Sequence, residues 1–454
     1  MPVEGKFCDG CVQQPFGEAF VGTDGLGTSG ILLVGDSPWV DEIRAQLPFA
    51  GAAGAMLNRI IRRLGMERQD FLIENALHCK PRHLGWTDHP ERFADAALAL
   101  THCRPYLDET IARFKPKVIV TLGTVALQRV CGVGGLRDRH AYVHDSSYGI
   151  PVVPTWHPSF LLKGNHNLTG AVLFAFRRAL EVADRKLVRP QHELVLDPSL
   201  ADAEAYFRRV NLSETEVVCD IETPESGALD EEEAEGASFT IVRIGFSHTP
   251  LTAISMPWTE PYIGLSKRVL KQAQRTLFWN VAYDLPRLQA AGCVVSCPTE
   301  AWNAWHYLQS DLPKALGFVA PFFSTDYPWK HLADADPARY NALDCLHALN
   351  CWRGASEALK RQGRWDVFVR HCLELEPLLA QMGTIRVDKQ QQQEFRAKLE
   401  AEAAEAYRKL QQVVPLAVKP RKVYRKLPKG VGATELKAEE VECPRCGKQE
   451  ALVD

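Results

Sequence analysis

Four short apolar runs constrain this chain more than any other feature. They are GILLVG (30–35), FLIENAL (71–77), KPKVIVTLG (115–123) and IPVVPTW (150–156), and stretches with helical periodicity separate them. A strand that is apolar at successive positions must be covered on both faces. Strands that alternate with helices build mostly parallel sheets through crossover connections. Amphipathic patterns over 52–65 and 171–186 supply two of the covering helices. The first 188 residues are therefore expected to form an α/β domain.

The polar stretch KLVRPQHE (186–193) reads as a linker. A second α/β region then opens with four strand patterns in succession: HELVLDP, ETEVVCDIETP, FTIVRIGFS and LTAISMPW. Helical patterns dominate from 264 to about 361. After 375 comes an Ala/Glu/Gln-rich helix (390–413), followed by the basic stretch VKPRKVYRKLPKG (418–430). With 454 residues, two or three domains are expected. Their boundaries are drawn at 1–188, 194–375 and 376–454.

Charge is unevenly distributed. Residues 1–190 carry 22 Lys/Arg against 19 Asp/Glu, whereas residues 191–375 carry 16 against 25. An acidic middle region fits a cation-dependent site, with the run DEEEAE (230–235) contributing part of the excess. No run of eighteen apolar residues and no basic-then-apolar leader is seen, so a cytoplasmic, nucleoid-associated protein is expected. Thirteen cysteines in such a compartment argue against a disulfide framework. Two CxxC pairs stand apart, Cys8/Cys11 and Cys443/Cys446, while most other cysteines sit singly in apolar runs.

In VVCDIETP (217–224), Asp220 and Glu222 occupy positions that point to one face of a strand. Downstream, Asn280 and Asp284 are four apart, as are Tyr340 and Asp344, and each pair shares a helical face. Any one of these acids reads equally well as a cap or a solvated face. Three such motifs in strand–helix–helix order fit two-metal phosphodiester hydrolysis, which needs hard oxygen ligands holding ions about 3.5–4 Å apart. This order, DxE then NxxxD then YxxxD, resembles the DEDD-type 3′→5′ exonuclease domain of family A DNA polymerases, in its tyrosine-bearing subclass. The resemblance implies a ribonuclease H-like fold over roughly 195–375. It also implies that Asp220, Glu222, Asp284 and Asp344 hold two Mg²⁺ or Mn²⁺ ions, with Tyr340 orienting the attacking water.

The first region carries PFAGAAGAML (48–57), IENALHCKPR (73–82), VIVTLGTVAL (118–127) and VPTWHPSFLLK (153–163). Alone, an Asn at a strand end caps a turn and a His is structural. Together, Phe49, Asn75 and His157 supply what base excision needs at the strand ends of an open sheet: a stacking ring, an amide that reads a base edge, and a polar partner for the leaving base. As a set these stretches resemble uracil-DNA glycosylases, particularly the iron–sulfur families. That implies a three-layer α/β/α domain in which Phe49 stacks on uracil, Asn75 reads its edge and His157 supports the departing base. Phe160 and Leu161 fall where the family places its minor-groove wedge.

The resemblance further implies a [4Fe–4S] cluster on Cys8, Cys11, Cys79 and Cys103. Cys79 and Cys103 are separated by 23 residues, more than is usual. Either an insertion is tolerated there or Cys103 is not the fourth ligand. The motif usually written Gly-Glu-x-Pro-Gly reads GDSPW here, so Asp36 takes the water-positioning place one methylene shorter. Either the domain excises uracil, or it is a binding module that grips DNA without cutting it.

The segment MGTIRVDKQQQQEFRAKLEAEAAEAYRKL resembles the opening of the polymerase region in family A enzymes, implying either the front end of a larger polymerase, with a palm and fingers region or subunit outside this chain as partner, or a standalone relic of one. CPRCGK (443–448) has the form of half a zinc ribbon on Cys443 and Cys446. A tetrahedral site would need two further ligands, from elsewhere in sequence or from another subunit, or else the motif binds nothing. DNA, as uracil-containing strands and as 3′ ends, is the expected partner.

Overall fold

The computed structural model describes residues 5–15, 18–81, 94–224, 240–375, 388–413, 438–442 and 449–453. The acidic run 230–235, the basic stretch 418–430 and the Cys443/Cys446 pair lie outside the described residues. The chain divides into two compact units, Met1–Gln381 and Met382–Asp454.

The first unit holds two sheets. Strands β1 (Ile31–Gly35), β2 (Phe71–Asn75), β3 (Val118–Leu122) and β4 (Val152–Thr155) form a fully parallel sheet in the order β2-β1-β3-β4. Every residue of these strands is buried, as continuous apolar runs require when helices cover both faces. Helices Ala52–Arg63 and Thr169–Ala183 pack on one face, and Arg104–Phe114 and Thr124–Cys131 on the other. The strand order reverses between β1 and β3. In an open parallel sheet that is where the loops at the carboxyl ends part to leave a crevice.

The second sheet is mixed and runs β10-β9-β6-β7-β8-β5, where β5 is Glu193–Leu196, β6 Glu216–Glu222, β7 Arg243–Thr249, β8 Thr252–Pro257, β9 Arg275–Phe278 and β10 Pro298–Glu300. β6, β7 and β8 are antiparallel neighbours, and β9 continues the sheet parallel to β6. Helices dominate after 264 as expected, but strands β9 and β10 also lie there, which the sequence pattern did not show. With four and three residues they are too short to show a period of two. The 25-residue helix Pro337–Arg361 lies across this sheet and buries Ala342, Cys345, Leu346 and Leu349.

One core joins the two halves of the first unit. Phe174 stacks on Phe322 with ring centroids 4.5 Å apart, and the buried Arg178 donates to the carbonyls of Pro321 and Ser324. The Tyr142 hydroxyl, buried, donates to the Gly317 carbonyl at 2.8 Å. The stretch read as a linker is itself held: Arg189 donates to the Val143 carbonyl and stacks on Tyr327. In the second unit, helix Lys389–Val413 forms as its composition suggests, and Ala438–Glu442 pairs antiparallel with Gln449–Val453.

Candidate functional sites

At the carboxyl edge of the parallel sheet, the ends of β1, β2 and β4 bring Asp36, Phe49, Asn75 and His157 together. Gly35 is the floor. A Cβ there would lie 2.4 Å from Asn75 Oδ1 and 2.6 Å from the Phe49 ring, so only glycine lets both approach. Asn75 is 3% exposed, and its Nδ2 has no hydrogen-bond partner among the described residues. A buried amide donor left without an acceptor is costly unless a ligand supplies one.

His157 caps helix Pro158–Leu162. Its Nδ1 accepts from the Ser159 amide at 3.2 Å, which leaves the neutral ring's proton on Nε2 as a donor. The Phe49 and His157 rings stack with centroids 5.2 Å apart. A base sandwiched between them would need roughly 7 Å, two stacking distances of about 3.5 Å, so it lies at their edge or parts them. Phe49 adopts a positive φ of 53°, uncommon for a bulky residue. Glu42 and Arg68, which the sequence reading missed, hold it there. Glu42 Oε1 accepts from the Phe49 amide at 2.8 Å, and the Arg68 guanidinium donates to the carbonyls of Pro48 and Phe49. Glu42 is buried, and burial pushes its carboxyl above the usual range.

Asp36 lies behind this edge. Its Oδ1 accepts from the Ala126 amide at 3.1 Å, at the amino end of helix Thr124–Cys131, where partial positive charge favours a carboxylate. Gly123, with φ of 108°, leaves room for it, since a Cβ there would lie 2.7 Å from Asp36 Oδ2. The wedge expectation is corrected in part. Leu161 is fully buried in the core, because a short helix turns it inward, and the exposed apolar side chains of this turn are Phe160 and Leu162.

Cys8, Cys11, Cys79 and Cys103 line one small cavity with Phe20, His78 and Tyr106. Burial, and then the neighbouring thiols Cys103, Cys11 and Cys8, push the Cys79 thiol up to about 12. Burial likewise takes Cys103 to about 12. Despite the 23 residues between them, Cys103 lines the same cavity as Cys79. Four thiols lining one cavity are the donor set that a [4Fe–4S] cluster requires.

The carboxylate trio is Asp220, Glu222 and Asp344. Alternation along β6 turns Asp220 and Glu222 to one face, against helix Pro337–Arg361, which carries Asp344. Asn341, fully buried and also missed in the sequence, donates to Asp220 Oδ2 at 2.8 Å while accepting from Ser255 Oγ. Asp284, on helix Val281–Ala290, stands beside the trio rather than within it and accepts from the Ile221 amide at 3.3 Å. Burial first, then Asp344, pushes Glu222 up to about 7. Burial pushes Asp284 up to about 7, and Asp220 is raised by burial and then by Asp344 and Asp284. Trp329 Nε1 donates to Asp344 Oδ1 at 2.7 Å. Lys330 Nζ donates to Asp344 Oδ1 and Oδ2 at 2.7 and 2.9 Å and to the Tyr340 hydroxyl at 3.1 Å. Neither Trp329 nor Lys330 was foreseen, because their own stretch, YPWKHL, has no marked spacing. Hard oxygen donors converging at this density fit one or two divalent cations.

Comparison with known proteins bears on the region that carries the first site. The profile of the uracil DNA glycosylase superfamily matches residues 24–181. A type-4 uracil-DNA glycosylase of Sulfurisphaera tokodaii is 31% identical over 185 residues, which span 39% of this chain and 80% of that protein. The type-4 uracil-DNA glycosylase of Thermotoga maritima is 34% identical over 151 residues, 32% of this chain and 73% of that protein. The one from Pyrobaculum aerophilum is 29% identical over 166 residues, 35% and 81% respectively. Among solved structures, the catalytic core of RRP6 from Trypanosoma brucei (mutant C496S) aligns at a TM-score of 0.32 and 15% identity. It covers 52% of this chain and 65% of that one, too low a likeness to establish a shared fold.

Proposed function

This chain belongs to the uracil DNA glycosylase superfamily, and from that premise we propose that its N-terminal half excises uracil from DNA, leaving an abasic site. The observation that carries this reading is the buried, unpartnered Asn75 Nδ2 beside Phe49 and His157. A flipped uracil brings a carbonyl acceptor to Asn75 and an apolar face to Phe49. The His157 Nε2–H lies where negative charge grows on the departing base, and a fixed donor there lowers the barrier. Asp36, held by the Ala126 amide at a helix amino end, positions the water that attacks the sugar. Cys8, Cys11, Cys79 and Cys103 would hold a [4Fe–4S] cluster, whose part is to fix the N-terminal segment against β2. Phe160 and Leu162 are the apolar groups available to fill the gap left in the base stack.

The test uses an oligonucleotide with one uracil, incubated with protein in EDTA and then treated with alkali. Strand cleavage at the uracil, lost in Asn75→Ala, supports the reading. DNA binding without cleavage would instead make this half a non-catalytic gripping module.

A second activity is proposed on a separate observation, the convergence of Asp220, Glu222 and Asp344 with Asp284 alongside. We read residues 194–375 as a 3′→5′ exonuclease of the DEDD type. Divalent cations bound by these carboxylates would supply a hydroxide nucleophile and stabilise the departing 3′ oxygen. Asn341 fixes the Asp220 carboxylate, Trp329 fixes Asp344, and the Tyr340 hydroxyl orients water. Coupling uracil excision to end trimming, as in proofreading or repair synthesis, and a polymerase partner continuing from residues 376–454 complete the proposal on sequence resemblance.

A further inference from the structure

Lys330 is the one cation hydrogen-bonded to the carboxylate trio among the described residues, and the proposed exonuclease chemistry has not used it. Its ammonium bridges both oxygens of Asp344 and reaches the Tyr340 hydroxyl. Its side chain is 25% exposed, against 8% for Asp344, so it approaches the cluster from the solvent side. The neighbouring Trp329 is buried and already donates to Asp344 Oδ1, so Asp344 has few lone pairs left for a metal while Lys330 stays in place.

Charge counting gives the lysine a second destination. Asp220, Glu222, Asp284 and Asp344 carry four negative charges when ionised, which two divalent cations balance. A bound phosphodiester adds one more negative charge, and a lysine ammonium balances that one. A flexible four-carbon stem lets a single ammonium serve either partner.

We propose that Lys330 is a resident counter-cation that competes with divalent metal for Asp344 and is released onto the phosphate of a bound DNA strand. This rests on the nuclease reading and adds to it a linkage. DNA, by drawing Lys330 away, raises the affinity for metal, and metal raises the affinity for a DNA 3′ end by the same factor. In the resting protein Lys330 also fixes the Tyr340 hydroxyl, so its release frees that hydroxyl at the moment water must be oriented.

The experiment measures Mn²⁺ binding to the full chain by the loss of the free-ion paramagnetic signal, with and without an oligonucleotide whose 3′-terminal linkage is a non-hydrolysable phosphonate. In Lys330→Met, Mn²⁺ should bind roughly tenfold tighter without DNA, because an ion pair of that strength no longer competes. The tightening caused by the oligonucleotide should be smaller than in the unmodified chain. Lys330→Arg, which keeps the charge, should behave as the unmodified chain does. If Lys330→Met does not fold, judged by its thermal melt, Lys330→Gln replaces it.

The outcomes separate the two ideas. Binding that is lost in Asp344→Ala but unchanged or weakened in Lys330→Met overturns the competition while leaving the nuclease reading standing. No binding by any form overturns the nuclease reading and this inference with it. Binding seen only after the lysine charge is removed supports the competition in its strongest form.

Discussion

The two sites of the first unit are built from opposite materials. The base-excision site sets the Asn75 amide and the Phe49–His157 stack beside a single carboxylate, Asp36, with Glu42 and Arg68 holding the Phe49 backbone. Its orphaned amide donor, Asn75 Nδ2, is a modest cost that can persist until a ligand arrives. The carboxylate site gathers like charges, with Lys330 as their hydrogen-bonded cation among the described residues, and burial raises Asp220, Glu222 and Asp284 together. A lone carboxylate at a helix amino end is compensated by the backbone before any substrate binds. Carboxylates gathered side by side are balanced only by protons or added positive charge.

The sharpest way to break this contrast is Asp220→Ala. Mg²⁺-dependent release of 3′ nucleotides should fall by about a thousandfold or more, because a ligand set loses a member. Uracil excision in EDTA should be unchanged, and nuclease activity surviving the substitution would refute the ligand assignment. Next in size, Asn75→Ala or His157→Ala should lower uracil excision by roughly 10²–10³-fold, the usual effect of removing one donor aimed at developing charge. The nuclease should not respond. Equal losses of both activities would mean that the sites are not separable as described.

The cluster offers a third test. The purified protein should be brown with iron bound, and Cys103→Ser should lose both colour and iron. A colourless protein that nevertheless excises uracil would remove the cluster from the account.

The smallest effect concerns pH and metal. Glu222 and Asp284 rise from 4.5 and 3.8 to about 7, so between those values the folded state holds more protons than the unfolded state. Stability of the metal-free protein should therefore fall as pH rises from about 4 to 7. Mg²⁺ should raise the melting temperature more at pH 8 than at pH 5, where protons occupy its ligands. A metal-induced gain that is larger at pH 5 would contradict the assignment.

The core that unites the two halves also bears on how separable they are. Arg178 holds the carbonyls of Pro321 and Ser324, and Tyr142, which packs edge-on against Trp329, holds that of Gly317. Trp329 in turn holds Asp344, so a side chain of the first half supports a carboxylate of the second. The linker pattern at 186–193 gave no sign of this. A polar stretch reads the same in sequence whether it runs through solvent or, as with Arg189 and Val188, is held against both halves.

Much was nonetheless legible in the amino acids alone. The four apolar runs became the four parallel strands, and four further runs became β5 to β8, because burial on one or both faces writes itself into local residue type. The pairs Asp220/Glu222 and Tyr340/Asp344 were visible because period two and period four each put a pair on one face. Asn75 and His157 were visible as polar residues ending apolar strands. Tertiary structure alone decided the rest. Glu42, Arg68, Asn341, Trp329 and Lys330 act on partners that lie outside their own strands and helices, the nearest, Glu42, seven residues along the chain from the amide it holds. Leu161 and Leu162 exchange inside for outside by a single helical step. Local pattern fixes which face a side chain takes within its own element. What that face meets is set by how the elements pack, and no short stretch of sequence records it.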